Sequence, residues 1–203
     1  MQGYKTIIFD LGAVLIDWNP DYLYKKLIAN DQERKWFLEN ICTPDWNEEQ
    51  DSGRPLKEAT EMLIEKYPGQ EAMIRAYYER WEEMLNGPIE GTLEIFRLLK
   101  EKNLMQLIAL TNWSSETFPI ALEKYDFLNW FHGRVVSGEE KTRKPFKGIY
   151  ETLIERYSII PSEAIFIDDN KRNLIPAEEL GITALHFTSP ERLQKDLLSL
   201  GIF

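Results

Sequence analysis

Four short segments carry side chains that could handle an anion. Asp10 follows the apolar run Thr6-Ile7-Ile8-Phe9, and Gly12 stands two residues on. Thr111-Asn112 closes a second apolar run at 106–110, and Lys144 lies between Arg143 and Pro145. Asp168-Asp169 ends a further run at 164–167. A carboxylate delivered to the end of a strand is a candidate nucleophile or metal ligand. A hydroxyl and the following backbone N–H, where a strand ends and a helix opens, form a phosphate cradle. A lysine fixed before a proline places a point charge on an anion. Two adjacent carboxylates repel, and one is protonated unless a cation lies between them; such hard oxygens suit Mg²⁺. Each segment alone also has an ordinary reading, as a turn, a cap or a surface charge. Their combination is the informative feature.

Such residues act together only if their strands end side by side. Short apolar runs at 6–9, 106–110, 134–136, 164–167 and 183–187 read as strands. Helical patterns lie between most of them, at 92–102, 115–125, 147–157, 173–180 and 190–200. Serines suited to capping open the second. Gly181 stops the fourth. Strand–helix alternation implies a parallel sheet covered on both faces, which binds ligands at its carboxyl ends. Residues 18–88 differ: they show no convincing strand and read as four helices, at 21–29, 32–41, 56–66 and 71–85, punctuated by Asn86-Gly87-Pro88. The expected architecture is an α/β, Rossmann-like parallel-sheet core of residues 1–17 and 89–203, with a helical domain of residues 18–88 inserted after the first strand.

The 203 residues suit such a core plus insert, and 43% hydrophobic content supports a sizeable core. A net charge of −10 argues against nucleic acid or an anionic membrane as partner. It leaves a small phosphorylated metabolite open, because one cation and one lysine reverse the local field. Cys42 is the single cysteine, so no internal disulfide forms, as in a reducing compartment. The uncharged stretch 11–16 is too short to span a bilayer, and no basic region with a cleavage site precedes it. A soluble, cytoplasmic protein is expected.

In this order the four segments resemble the haloacid dehalogenase (HAD) superfamily of hydrolases. The matching pieces are FDLG at 9–12, LTN at 110–112, KP at 144–145 and FIDDNKRN at 166–173. The resemblance covers nearly the whole chain, with the helical insert similar to the superfamily's cap. It is closest to bacterial sugar-phosphate (glucose-1-phosphate-type) phosphatases carrying FDLG. It implies that Asp10 attacks phosphorus and forms an aspartyl-phosphate, and that Lys144 neutralises Asp10 and the transferring group. It implies further that Asp10, the Gly12 carbonyl and Asp169 hold Mg²⁺, with Asp168 reaching it through water. Thr111 and the Asn112 N–H would bind phosphoryl oxygens, and Asn173 would sit behind the metal ligands. The chemistry is consistent, since phosphoryl transfer relies on positioning and charge stabilisation.

One position departs from the pattern. The aspartate that usually follows the nucleophile by two residues is Gly12 here. In related phosphatases it protonates the leaving alcohol and then activates water, help worth roughly 10²–10⁴-fold. Good leaving groups, a replacement among Asp45, Glu48, Glu49 and Asp51, or feeble catalysis are the three ways of accommodating the loss. A dehalogenase, which attacks carbon without metal, is the alternative function. Asp168-Asp169 opposes it, because the pair would repel a carboxylate substrate. A binding module without catalysis is the third.

Substrate selectivity is expected from the turn around Trp46, with Trp46 stacking on a sugar face and Asn47 and Asp45 bonding its hydroxyls; packing within the insert is the plainer role. Trp36, Trp81, Tyr77 and Tyr78 follow helical spacing and read as core. His132 and His186 lie outside all four segments and read as structural.

Overall fold

The computed structural model describes residues 3–203. Five parallel strands form the central sheet: β1 (Thr6–Phe9), β4 (Gln106–Thr111), β5 (Gly133–Val136), β6 (Ala164–Asp168) and β7 (Thr183–His186), in the order β5-β4-β1-β6-β7. The α/β parallel-sheet core read from the sequence is therefore the fold observed. β1 and β6 are buried throughout, so they carry continuous apolar runs rather than alternation. Ile7, Phe9, Leu107 and Ile165 pack on one face with α6 (Glu90–Lys102) and α11 (Pro190–Ser199). Ile8, Ile108 and Phe166 pack on the other with α9 (Lys147–Arg156) and α10 (Lys171–Glu179).

The chain runs from β1 to β4 and β5 on one side, then crosses to β6 and β7 on the other. Strand order reverses at β1, and crevices at such switch points bind ligands. Register fixes what emerges there. Phe9 stands beside both Ala109 and Ile167, so Asp10 leaves the sheet level with Leu110 and Asp168.

Between β1 and β4 the chain makes a short antiparallel pair, β2 (Ile16–Trp18) with β3 (Leu85–Pro88). Five helices lie between these two strands: α1 (Pro20–Leu27), α2 (Asp31–Asn40), α3 (Pro44–Asp51), α4 (Leu56–Lys66) and α5 (Glu71–Glu79). Asn19, Asn30 and Thr43 cap the first three, each accepting from backbone N–H groups of the opening turn. The rings of Tyr24, Phe37 and Tyr77 pack together among them.

The structure corrects several expectations. The insert has five helices, not four, and strands at both of its ends. α3 escaped the sequence reading because Gln50 is its only fully buried position, so it lacks an apolar stripe. The helix expected over 71–85 ends at Glu79, and a 3₁₀ turn at Trp81–Met84 leads into β3. Trp36 is 52% exposed and is not core. The helix expected from 115, α7 (Phe118–Lys124), starts later. A five-residue loop thus separates Asn112 from α7, and Asn112 does not open a helix.

That loop is held instead by α8 (Ser137–Glu140), which follows β5. Trp113 N donates to Ser137 Oγ at 2.9 Å, and Gly138 N donates to Trp113 O at 3.1 Å. A Cβ at position 138 would come 2.4 Å from the Ser115 backbone nitrogen, so only glycine allows this approach. Among the described residues, no helix is long and apolar enough to cross a membrane.

Candidate active site

Lys144 is fully buried, although a lysine before a proline reads equally well as a surface charge. Its Nζ has three protons and three acceptors: Asp10 Oδ1 at 2.9 Å, Asp168 Oδ2 at 2.6 Å and the Leu110 carbonyl at 3.0 Å. β1, β6 and β4 each supply one, which follows from their register. Asn112 fixes the lysine's backbone: Lys144 N donates to Asn112 Oδ1 at 2.8 Å, and Asn112 Nδ2 donates to Lys144 O at 2.9 Å. This amide pairing was not readable from the sequence, which offered Asn112 only for its backbone N–H.

Asp168 is held as tightly. Asn173 Nδ2 donates to both its oxygens, at 3.0 and 3.1 Å, and Asn170 N donates to Oδ1 at 2.8 Å. Asp10 Oδ1 also accepts from Leu11 N at 2.7 Å. Among the described residues the buried Thr111 hydroxyl has no hydrogen-bond partner. An orphaned donor at the carboxyl end of a central strand suits an incoming anion's oxygen.

Asp10, Asp168 and Asp169 each place a carboxylate oxygen within 4.8 Å of the others. Three carboxylates thus share one ammonium. Burial, reinforced by Asp168 and Asp169, pushes Asp10 up to about 8 despite Lys144. Burial and Asp168 likewise raise Asp169. Burial opposes the charge on Lys144, yet Asp10 and Asp168 outweigh it and hold the lysine above its ordinary value. A donor set of hard oxygens with surplus negative charge fits a divalent cation, and Mg²⁺ is the ion it suits. His186, expected to be remote, is a neighbour: β7 pairs it with Asp168, and its Nε2 lies 3.0 Å from the Asp169 carbonyl. Only the tertiary pairing of β6 and β7 brings it there. His132 stays structural, its Nδ1 accepting from Leu107 N at 3.0 Å.

Beside this centre lies a cavity of ≈ 70 Å³ lined by Gly12, Asn47, Asp51, Tyr78, Trp81 and Asn112, among others. Of the three residues expected to select substrate, Asn47 lines it. Trp46 packs on Tyr77 and Tyr78, with ring centroids 5.1 and 5.3 Å away, and Asp45 is exposed outside the lining. Trp81 and Tyr77 are core as expected, with Tyr78 packed against it, and Trp81 and Tyr78 also form part of the cavity wall. α3 is clamped over the sheet. Glu48 pairs with Arg143 at 3.0 Å and with Arg172, and Ser137 Oγ donates to the Asp51 carbonyl at 2.5 Å.

The family model of haloacid dehalogenase-like hydrolases matches residues 7–187. The chain belongs to this family. As a haloacid dehalogenase-like hydrolase it is similar to a sesquiterpene phosphatase of Aspergillus oryzae, 28% identical over 91% of this chain and 90% of that protein. It is also similar to a phosphorylated carbohydrates phosphatase of Thermotoga maritima, 22% identical over 90% of this chain and 84% of the relative. A HAD family enzyme of Bacteroides thetaiotaomicron, an Asp-to-Ala mutant crystallised with magnesium and inorganic phosphate, shares the fold. Its TM-score is 0.70 at 22% identity, over 92% of this hydrolase and 95% of that chain.

Proposed function

We propose that this HAD-type phosphatase hydrolyses a small phosphomonoester, a sugar phosphate foremost, through an aspartyl-phosphate on Asp10. The observation that carries the reading is the buried Asp10–Lys144–Asp168 array beside Asp169. Asp10 supplies the nucleophilic oxygen, and Lys144 lowers the repulsion between that carboxylate and the phosphate. Asp168, Asn173 and Asn112 keep the ammonium in place. The Thr111 hydroxyl, free of other partners, and the Asn112 N–H are the groups offered to phosphoryl oxygens. Asp10, Asp168, Asp169 and the Gly12 carbonyl are the groups that would hold Mg²⁺, which supplies the positive charge that lets two anions meet.

Residues 18–88 act as a cap over the core of residues 1–17 and 89–203, and selectivity comes from the face that Asn47 and Asp51 present to the cavity. That cavity is lined by the polar groups of Asn47, Asp51, Asn112 and Ser114, which suit a substrate rich in hydroxyls. The phosphorylated carbohydrates phosphatase among its relatives supports this class, whereas the sesquiterpene phosphatase points to a longer substrate.

The test is hydrolysis of p-nitrophenyl phosphate, sugar phosphates, a prenyl phosphate and 2-haloacids, with Mg²⁺ or EDTA, by the native chain and by Asp10→Asn. Metal-dependent phosphate release that Asp10→Asn abolishes, strongest on a sugar phosphate, is expected. Halide release without metal would replace phosphatase by dehalogenase, and a preference for the prenyl phosphate would overturn the sugar.

A further inference from the structure

An alkyl phosphate cannot leave as a bare alkoxide at neutral pH; something must give its oxygen a proton. In the centre described above, every proton of Lys144 is already engaged, and Gly12 has no side chain. The space in front of Gly12 is open: a Cβ built there meets no atom within 4 Å. That space adjoins the cavity, and Asp51 lines the same cavity as the only carboxyl among its lining residues. Asp51 is placed firmly. Its carbonyl is tied to Ser137 on the core, and its Oδ2 accepts from Asn47 Nδ2 at 3.0 Å. Glu48, Glu49 and Asp45 do not line the cavity, and Glu48 is engaged by two arginines.

We propose that the Asp51 carboxyl is the general acid and base of this site, supplied across the cavity from α3 where Gly12 leaves a gap. The proposal rests on the aspartyl-phosphate reading above. In the first step an Asp10 oxygen bonds to phosphorus while the bond from phosphorus to the leaving oxygen breaks. The electron pair stays on that oxygen, which takes the Asp51 proton. In the second step a water oxygen bonds to phosphorus and gives its proton to Asp51, and the Asp10–phosphorus bond breaks. Alcohol and phosphate leave, with Asp10 a carboxylate and Asp51 protonated as at the start.

The environment agrees. Burial pushes Asp51 up to about 7, against the Ser114 backbone N–H and the Arg143 guanidinium, which favour its charge. A group poised there gives and takes a proton at neutral pH. Tyr78, the other titratable residue of the wall, is driven well above its ordinary value by burial and stays an alcohol.

The experiment compares p-nitrophenyl phosphate, whose phenol leaves unaided, with a primary alkyl phosphate such as a sugar 6-phosphate. Rapid-quench kinetics with Mg²⁺ are run on the native chain, Asp51→Asn and Asp51→Asn/Gly12→Asp. Asp51→Asn is expected to release about one nitrophenolate per site in a burst, then turn over slowly. Its kcat/KM on the alkyl ester falls roughly 10²–10⁴-fold. Gly12→Asp in the double variant, entering open space, restores part of the alkyl activity. A folded Asp51→Asn that loses the same factor on both substrates, or nothing, overturns the proposal. If circular dichroism shows that Asp51→Asn does not fold, the native chain decides through a series of leaving groups. A flat dependence of kcat/KM on leaving-group pKa supports proton donation, and a steep fall refutes it. Failure of the native chain on every phosphate would instead remove the phosphatase reading itself.

Discussion

Lys144 and Asp51 show how much of this site rests on single protonatable groups. Lys144 is an ammonium with no exposed surface, kept charged by two carboxylates. Lys144→Met keeps the volume but leaves Asp10 and Asp168 facing each other, a loss of about 3–5 kcal/mol by analogy with broken buried pairs. Urea denaturation at pH 7 should show a lower midpoint with an unchanged slope, alongside loss of phosphate release. Asp51 predicts the opposite trend. Its folded pKa is raised from 3.8 to about 7, so the folded state binds the proton more tightly than the unfolded state does. The stability this contributes is complete below pH 3.8 and is lost as pH rises through 7. Asp51→Asn escapes that loss. Its melting temperature should match the native chain's near pH 4 and exceed it at pH 8. A constant gap across that range would refute the linkage.

At the scale of elements, α3 is the piece that supplies Asn47 and Asp51 to the cavity, and several polar contacts hold it to the core. Glu48 bonds Arg143 and Arg172 with only 17% of its side chain exposed, and Ser137 Oγ bonds the Asp51 carbonyl. Arg143 immediately precedes Lys144, so the clamp joins the helix carrying Asp51 to the segment carrying Lys144. Glu48→Ala removes both ion pairs while leaving Lys144, Asp10 and Asp168 untouched. We expect KM for the preferred phosphate to rise more than kcat falls, with a weaker salt dependence than in the native chain, as pairs at the surface are screened. A drop in kcat alone would show that α3 does not shape substrate binding.

At the scale of the whole molecule, the parallel sheet sets three carboxylates at one level, and their mutual repulsion opposes folding until a cation joins them. Metal binding is therefore coupled to stability. Mg²⁺ at 100 times its Kd adds about 2.7 kcal/mol, which is roughly 5–11 °C in melting temperature here. Thermal unfolding should show that rise with MgCl₂ and its reversal by EDTA, and Asp169→Asn should remove most of it. No Mg²⁺ response in the native chain would sink the metal assignment. The net charge of −10 makes the local balance more telling, because the buried ammonium of Lys144 is set within a strongly acidic chain.

The order and type of most core elements, and Asp10, Lys144 and the acidic pair as the groups to watch, were legible in the residues themselves, whereas the burial of Lys144 was not. Parallel strands buried on both faces must be apolar runs, and residues at their ends are tied to register, so local pattern and site coincide at Asp10, Thr111 and Asp168. What the sequence by itself determined is thus the chemistry offered at the sheet's edge. The tertiary structure alone decided what faces it. α3 has no apolar stripe, and besides its local Thr43 cap it is held by Gln50 bonded to Tyr78 and by the Glu48 clamp, contacts between residues far apart in the chain. The Asn112–Lys144 pairing, the approach of His186 to Asp169 and the meeting of Asp51 and Gly12 in one cavity lining arise in the same way. Each depends on which elements pack together, and hydrophobic periodicity carries no record of that.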